Sequence, residues 1–177
     1  MSQPEIATKT AYRTTHPDAL AAWRSAADAR EEWGKQMDAF LAEHGLSGRT
    51  VWVSHSGRVF GIEHVHDTDV PEGWRIDSRT GHLMPRLAKK AGKLIDARLD
   101  ELKQPDPRDA MPGMPKDCFV SLALLTCGLA LLGEALYATW SRPIPEEQVD
   151  LTIWERIKLS EYYAAWEAHE AEQERQS

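Results

Sequence analysis

The chain has 177 residues, a formal net charge of −7, 42% apolar residues and 28% charged ones. That is the balance of a globular protein able to bury its own core, and seven Trp favour a packed core or an interface over disorder. The acidic excess weighs against duplex DNA as a partner, because phosphate binding wants positive charge. Two cysteines, Cys118 and Cys127, both in apolar runs, suit a reducing cytosol and imply no disulfide framework.

In chain order, residues 1–14 are polar and lack the apolar segment of a secretory signal, so they read as a flexible N-terminal arm. A single domain is predicted over residues 15–172, with a frayed tail at 173–177. The first helix is predicted from Pro17 to His44. Thr15 with Asp18 resembles a capping box, Leu20, Trp23, Ala27, Met37, Phe40 and Leu41 recur at helical spacing, and Gly45 ends it. Thr50–His55 and Arg58–Val65 then read as a hairpin turning at Ser56-Gly57. Two short strands follow, Trp74–Asp77 and His82–Met84.

A second helix is predicted over Leu87–Lys103, with Leu87, Ala91, Leu94, Ile95 and Leu102 as its apolar stripe. Four prolines between Gln104 and Lys116 make that stretch an irregular surface loop. Residues 118–141 have helical composition, but Gly128, Gly133 and the run Ala135–Trp140 favour strands. Their uncharged run, Phe119–Gly133, is shorter than the ~20 apolar residues that span a bilayer, so it reads as core and no membrane association is expected. The last helix is predicted over Leu151–Glu172, capped by Asp150, with Trp154, Ile157, Tyr162, Ala165 and Trp166 facing inward. The order predicts an α+β fold: an antiparallel sheet built from hairpins and covered by about three helices, N-terminal, central and C-terminal.

Three constellations bear on function. His64 and His66 alternate along a predicted strand and so share a face, where two imidazoles can hold zinc or another divalent metal. His82, Asp67 or Asp69 would complete the set, and His55 lies on the paired strand. Such a site would support a metal-dependent hydrolase or nuclease. No HExxH or CxxC motif accompanies it, and edge-strand histidines facing solvent are the plainer reading.

The second constellation is charge. Between Trp74 and Arg98 stand Arg75, Arg79, Arg86, Lys89, Lys90, Lys93 and Arg98 against only Asp77 and Asp96, a local +5 in an acidic chain. Arg86, Lys90 and Lys93 fall on one face of the predicted helix, at its N-terminus, where the macrodipole disfavours cations. Cations set against their own helix point to a phosphate, a nucleic-acid backbone or an acidic partner; a solvated face balanced by the acidic C-terminal helix is the alternative. The third is aromatic: Trp154, Tyr162, Tyr163 and Trp166 crowd one segment and supply either core or interface area. No nucleophile elbow, Gly-rich phosphate loop or S-x-x-K motif is present in the sequence.

The segments Pro71-Glu-Gly-Trp-Arg75, His82–Lys93, Met111-Pro-Gly-Met-Pro115 and Leu151–Tyr163 together resemble small uncharacterised accessory proteins of actinobacterial phages and prophages, over about residues 50–166. The resemblance implies a context only, and carries over no catalytic residues. In that context the expected role is a cytoplasmic, non-enzymatic binding protein in a bacterial host, such as an anti-defence factor. It would bind a host protein or sequester a phosphorylated small molecule through the basic stretch and the aromatic anchors. A structural or assembly component forming a homo-oligomer is the third expectation.

Overall fold

The computed structural model describes residues 10–66, 69–115, 118–120, 123–125, 127–141, 144 and 146–176, with backbone alone at 118–120, 123–125 and 127. Among them stand three α-helices and two antiparallel four-stranded sheets, an α+β fold. The contacts divide into two compact units, Met1–Ser25 with Pro107–Ser177, and Ala26–Asp106. One domain over 15–172 was the expectation from sequence; one boundary between the units falls inside the first helix and the other in the proline-rich loop.

In the first unit the sheet has the order β10-β1-β9-β8, with β1 at Thr10–Thr14, β8 at Cys127–Leu132, β9 at Ala135–Trp140 and β10 at Glu155–Ile157. A separate two-stranded pair joins β6, Cys118–Val120, to β7, Ala123–Leu125. Strands over 118–141, favoured by the glycines, are what forms. The expected flexible arm is corrected at its end: Thr10–Thr14 is an inner strand, paired on both sides, with Tyr12 opposite Ala138 on one and Arg156 on the other. Thr10, Ala11, Tyr12 and Thr14 are all buried, so it carries almost no apolar alternation.

One face of this sheet packs Tyr12, Leu136, Ala138 and Trp140 against Ala19, Met111, Ile144, Val149 and Trp154. The other packs Ala11, Tyr137 and Ile157 under Leu159, Tyr162 and Ala165 of helix α3, Leu159–Gln176. The last helix therefore begins eight residues later than Leu151. Asp150 does act as a cap, but of a turn: its carboxylate accepts the Thr152 N–H at 2.9 Å, and its carbonyl accepts the N–H groups of Ile153 and Trp154. That turn delivers Trp154 into the core, where its indole N–H donates to the Pro112 carbonyl at 2.8 Å.

Helix α1 runs Pro17–Glu43, its start capped by His16, whose Nδ1 accepts the Asp18 N–H. In the second unit its residues Met37, Phe40 and Leu41 join Val59, Ile62, Trp74, Leu83, Ile95, Leu99 and Leu102 in one core. The sheet there has the order β2-β3-β5-β4, with β2 at Val51–Val53, β3 at Val59–Ile62, β4 at Trp74–Ile76 and β5 at Leu83–Pro85. The β2–β3 hairpin turns through three residues, His55-Ser56-Gly57, rather than two. Gly57 N–H bonds Ser54 O, Ser54 N–H bonds Arg58 O, and Gly57 takes φ 79°, as a type I turn closed by a left-handed residue requires.

Helix α2 spans Lys90–Glu101, shorter than expected at its start, and buries Gly92, Ile95 and Leu99. Leu87 precedes it and, with Leu94, is exposed, so neither belongs to the inner stripe. No helix among the described residues is long and apolar enough to cross a membrane.

Candidate functional site: a basic turn between β5 and α2

Pro85 ends β5 and the chain turns through Arg86–Lys89, where Lys89 N–H donates to Arg86 O at 2.9 Å. Lys89 is the N-cap of α2 in extended conformation (φ −115°, ψ 148°) and offers no side-chain cap; no acid stands in the first turn. Two contacts hold this turn in place. Arg86 N–H donates to Gly73 O at 2.7 Å, and the Arg86 backbone lies directly on Gly92. With the backbone packed inward, the side chains of Arg86, Leu87, Lys89, Lys90, Lys93 and Leu94 are all exposed.

The acids of α2 are committed elsewhere. Arg58 bonds Asp96 at 3.0 Å and Asp100 at 2.8 Å, and Arg98 bonds Glu101 at 2.7 Å. Among the described residues Arg86, Lys89, Lys90 and Lys93 form no ion pair. Four cations thus surround the positive end of a helix dipole, an arrangement disfavoured by a few tenths of a kcal/mol per charge in isolation and favourable to a bound anion. Arg86 sits in the turn ahead of the helix, which corrects its expected place on the same helical face as Lys90 and Lys93.

The other two cations of the basic stretch stand apart from this turn. Arg75 on β4 pairs with Asp77 at 3.6 Å and touches Met84 Sδ at 3.9 Å. Arg79 is exposed in the turn between β4 and β5. Asp77 organises that turn: the Thr80 hydroxyl donates to it at 2.8 Å and the Thr80 N–H at 3.2 Å. These bonds, the hydroxyl's first, hold its carboxyl below the ordinary carboxylate range.

The aromatic candidates separate. Trp154 is 1% exposed, which removes it from any surface. On α3, Tyr162 packs against Tyr137 and contacts Tyr163 and Trp166, ring centroids 5.5–6.3 Å apart. Tyr163 and Trp166 remain 48% and 39% exposed, and the Trp166 indole donates to Glu170 at 2.8 Å. These residues belong to the first unit and the basic turn to the second.

The structure brings His64 and His66 together, ring centroids 6.1 Å apart. His82 is engaged otherwise, stacked on Trp52. Asp67 lies outside the described residues, and among those described no group of three or more His, Cys, Asp or Glu is placed to hold a metal. The side chains of Cys118 and Cys127 also lie outside them. The Trp52–His82 pair is what sequence reasoning missed. Its signal was Trp52 alternating with two valines on a predicted strand, with a glycine opposite.

No protein-family model matches this chain, and neither does any curated protein or solved structure.

Proposed function

We propose that this chain is a non-enzymatic binding protein that takes a phosphorylated or otherwise acidic partner, a host protein or a phosphorylated small molecule, at the basic turn Arg86–Lys93. The observation that carries the reading is the exposure of Arg86, Lys89, Lys90 and Lys93 around an uncapped helix start, without an ion pair among the described residues. Leu87 and Leu94, 54% and 64% exposed, flank the cations and supply apolar contact. A partner bringing carboxylates or phosphates would replace the missing cap and discharge a like-charge cluster in one step. This is the kind of role that the resemblance to phage accessory proteins implies.

Retention on a phosphate-bearing resin tests the reading. A chain of net charge −7 passes through such a resin unless a local cationic surface holds it. The wild-type protein is expected to be retained at low salt, and the Lys89→Glu/Lys90→Glu/Lys93→Glu variant to flow through. Passage of both would count against the turn as an anion site.

The exposed Tyr163 and Trp166 favour a second reading, a homo-oligomer joined through α3. Sedimentation equilibrium that gives the monomer mass at high protein concentration would exclude it.

A further inference from the structure

The β2-β3-β5-β4 sheet has two unlike faces. One carries Val59, Ile62, Trp74 and Leu83 into the core under α1 and α2. Strand alternation places Trp52, Gly61, His82, Met84 and Arg75 on the other: Trp52 pairs with Gly61 and Met84 with Arg75, while Leu83 between His82 and Met84 faces the core. The register slips between Trp52 and Val53, so that Phe60 and Gly61 both oppose Trp52. A bulge of this kind sends both of its residues to one side, and Phe60 is accordingly exposed.

Trp52 is 46% and Phe60 44% exposed. The Trp52 and His82 rings lie nearly parallel, 4.9 Å between centroids and 14° between planes. Gly61 makes the stack possible: a Cβ there would come within 3.0 Å of both Cβ and Nδ1 of His82. Trp52 therefore reaches across the sheet over a residue with no side chain, and its indole is held at a fixed angle. Fixed, half-exposed aromatic rings on a sheet face have two uses, as half of an interface or as a stacking platform.

The neighbouring charges select between them. The guanidinium of Arg75 lies on the platform and that of Arg79 in the turn that joins its strands. Of the adjacent carboxylates, Asp77 accepts from Thr80 and lies 3.6 Å from Arg75, and Glu63 accepts the Thr50 N–H. Planar apolar surface beside exposed guanidinium groups matches bases beside phosphates. A duplex hides its base faces, and a protein of net charge −7 gains little from phosphates alone, so the bases must be unpaired for stacking to carry the affinity.

We propose that this sheet face binds single-stranded nucleic acid, with bases stacked on Trp52 and Phe60 and phosphates met by Arg75 and Arg79. It is a site of its own, built from residues outside the basic turn, and the two readings stand or fall separately.

Fluorescence anisotropy of a labelled mixed-sequence oligonucleotide of ~12 nucleotides, in its DNA and RNA forms, tests it with the full chain. Binding of either form is expected, weakened about tenfold or more by Trp52→Ala and by Phe60→Ala and largely kept by Trp52→Phe. Two ring positions are tested so that misfolding of one variant does not decide the matter, and each variant's fold is checked by circular dichroism. Reversal of Lys89, Lys90 and Lys93, which lie outside the site, should leave the loss on Trp52→Ala intact. No binding of either form by the wild-type protein, or undiminished binding by both alanine variants, would overturn the proposal, whatever the basic turn does on a phosphate resin.

Discussion

A Cβ built on Gly92 would lie 2.1 Å from the carbonyl oxygen of Arg86 and 2.4 Å from its carbonyl carbon. The contact is backbone against helix, so no rotamer change relieves it. It seats the turn that carries the four cations, and it has a consequence opposite to ordinary helix chemistry. Glycine inside a helix is normally worse than alanine by about 1 kcal/mol. Here Gly92→Ala should destabilise by about 1–3 kcal/mol, because the backbone of Arg86 must move. Chemical denaturation checks this, and a midpoint that rises would show that the turn does not rest on the helix.

Trp154→Ala should cost about 3–5 kcal/mol, as a large buried ring is removed from the first unit's core. Trp154→Phe keeps most of that packing, loses the bond to Pro112, and should cost less. If Trp154 were instead a surface anchor on a helix, both variants would unfold like the wild-type protein.

Tyr12 and Trp154 sit in the same core, but the Tyr12 hydroxyl is buried without a hydrogen-bond partner among the described residues. Burial is the main cause that pushes its pKa up from the ordinary value near 10; Arg156 opposes the rise and Glu146 adds to it. The folded protein therefore holds this proton more tightly than the unfolded chain does. Its contribution is complete below about pH 10 and is lost as pH rises through the folded value. Tyr12→Phe should be as stable as the wild-type protein or more so at neutral pH, and should fall less steeply in denaturation midpoints taken above pH 10.

The acid side rests on turns. Asp77 is held low by Thr80, and Asp150 by the Thr152 hydroxyl and N–H. Both carboxyls titrate below their unfolded values, so the stability they lend is present above about pH 4 and is lost as pH falls through the folded values. Asp77→Asn with Asp150→Asn should shallow the acid limb of the stability–pH curve and leave the alkaline limb unchanged.

How far these features were legible in the sequence varies with the signal each leaves. Helix α1 was readable because Pro17, the periodic apolar residues and Gly45 agree. Strand β1 was not, since Thr10, Ala11, Tyr12 and Thr14 are all buried and its apolar contrast is weak. Residues 151–158 misled because Trp154 and Ile157 stand at helical spacing, whereas a single carboxylate at Asp150 bends the chain into a turn. Composition alone flagged Arg86, Lys89, Lys90 and Lys93. What composition could not supply was the destination of the acids, namely that Asp96 and Asp100 go to Arg58, about forty residues away. His82 was legible as a histidine worth attention, but its partner, Trp52, depends on strand pairing across Gly61. A bulge such as that at Phe60 has no composition signal.

Replacing Lys89, Lys90 and Lys93 by glutamate places acids at the N-terminal end of α2, where the macrodipole favours them by a few tenths of a kcal/mol each. The triple variant should therefore melt at the same temperature as the wild-type protein or slightly above it. A lower melting temperature would mean that these lysines support the fold.

The most direct measurement of the central claim is affinity capture from a cell lysate. Wild-type protein and the triple variant would be run side by side, with bound proteins and small molecules identified by mass spectrometry. A stoichiometric acidic protein or phosphorylated molecule captured by the wild-type protein and absent from the variant is the predicted result. The same species on both, or none on either, would contradict a binding function seated at Arg86–Lys93.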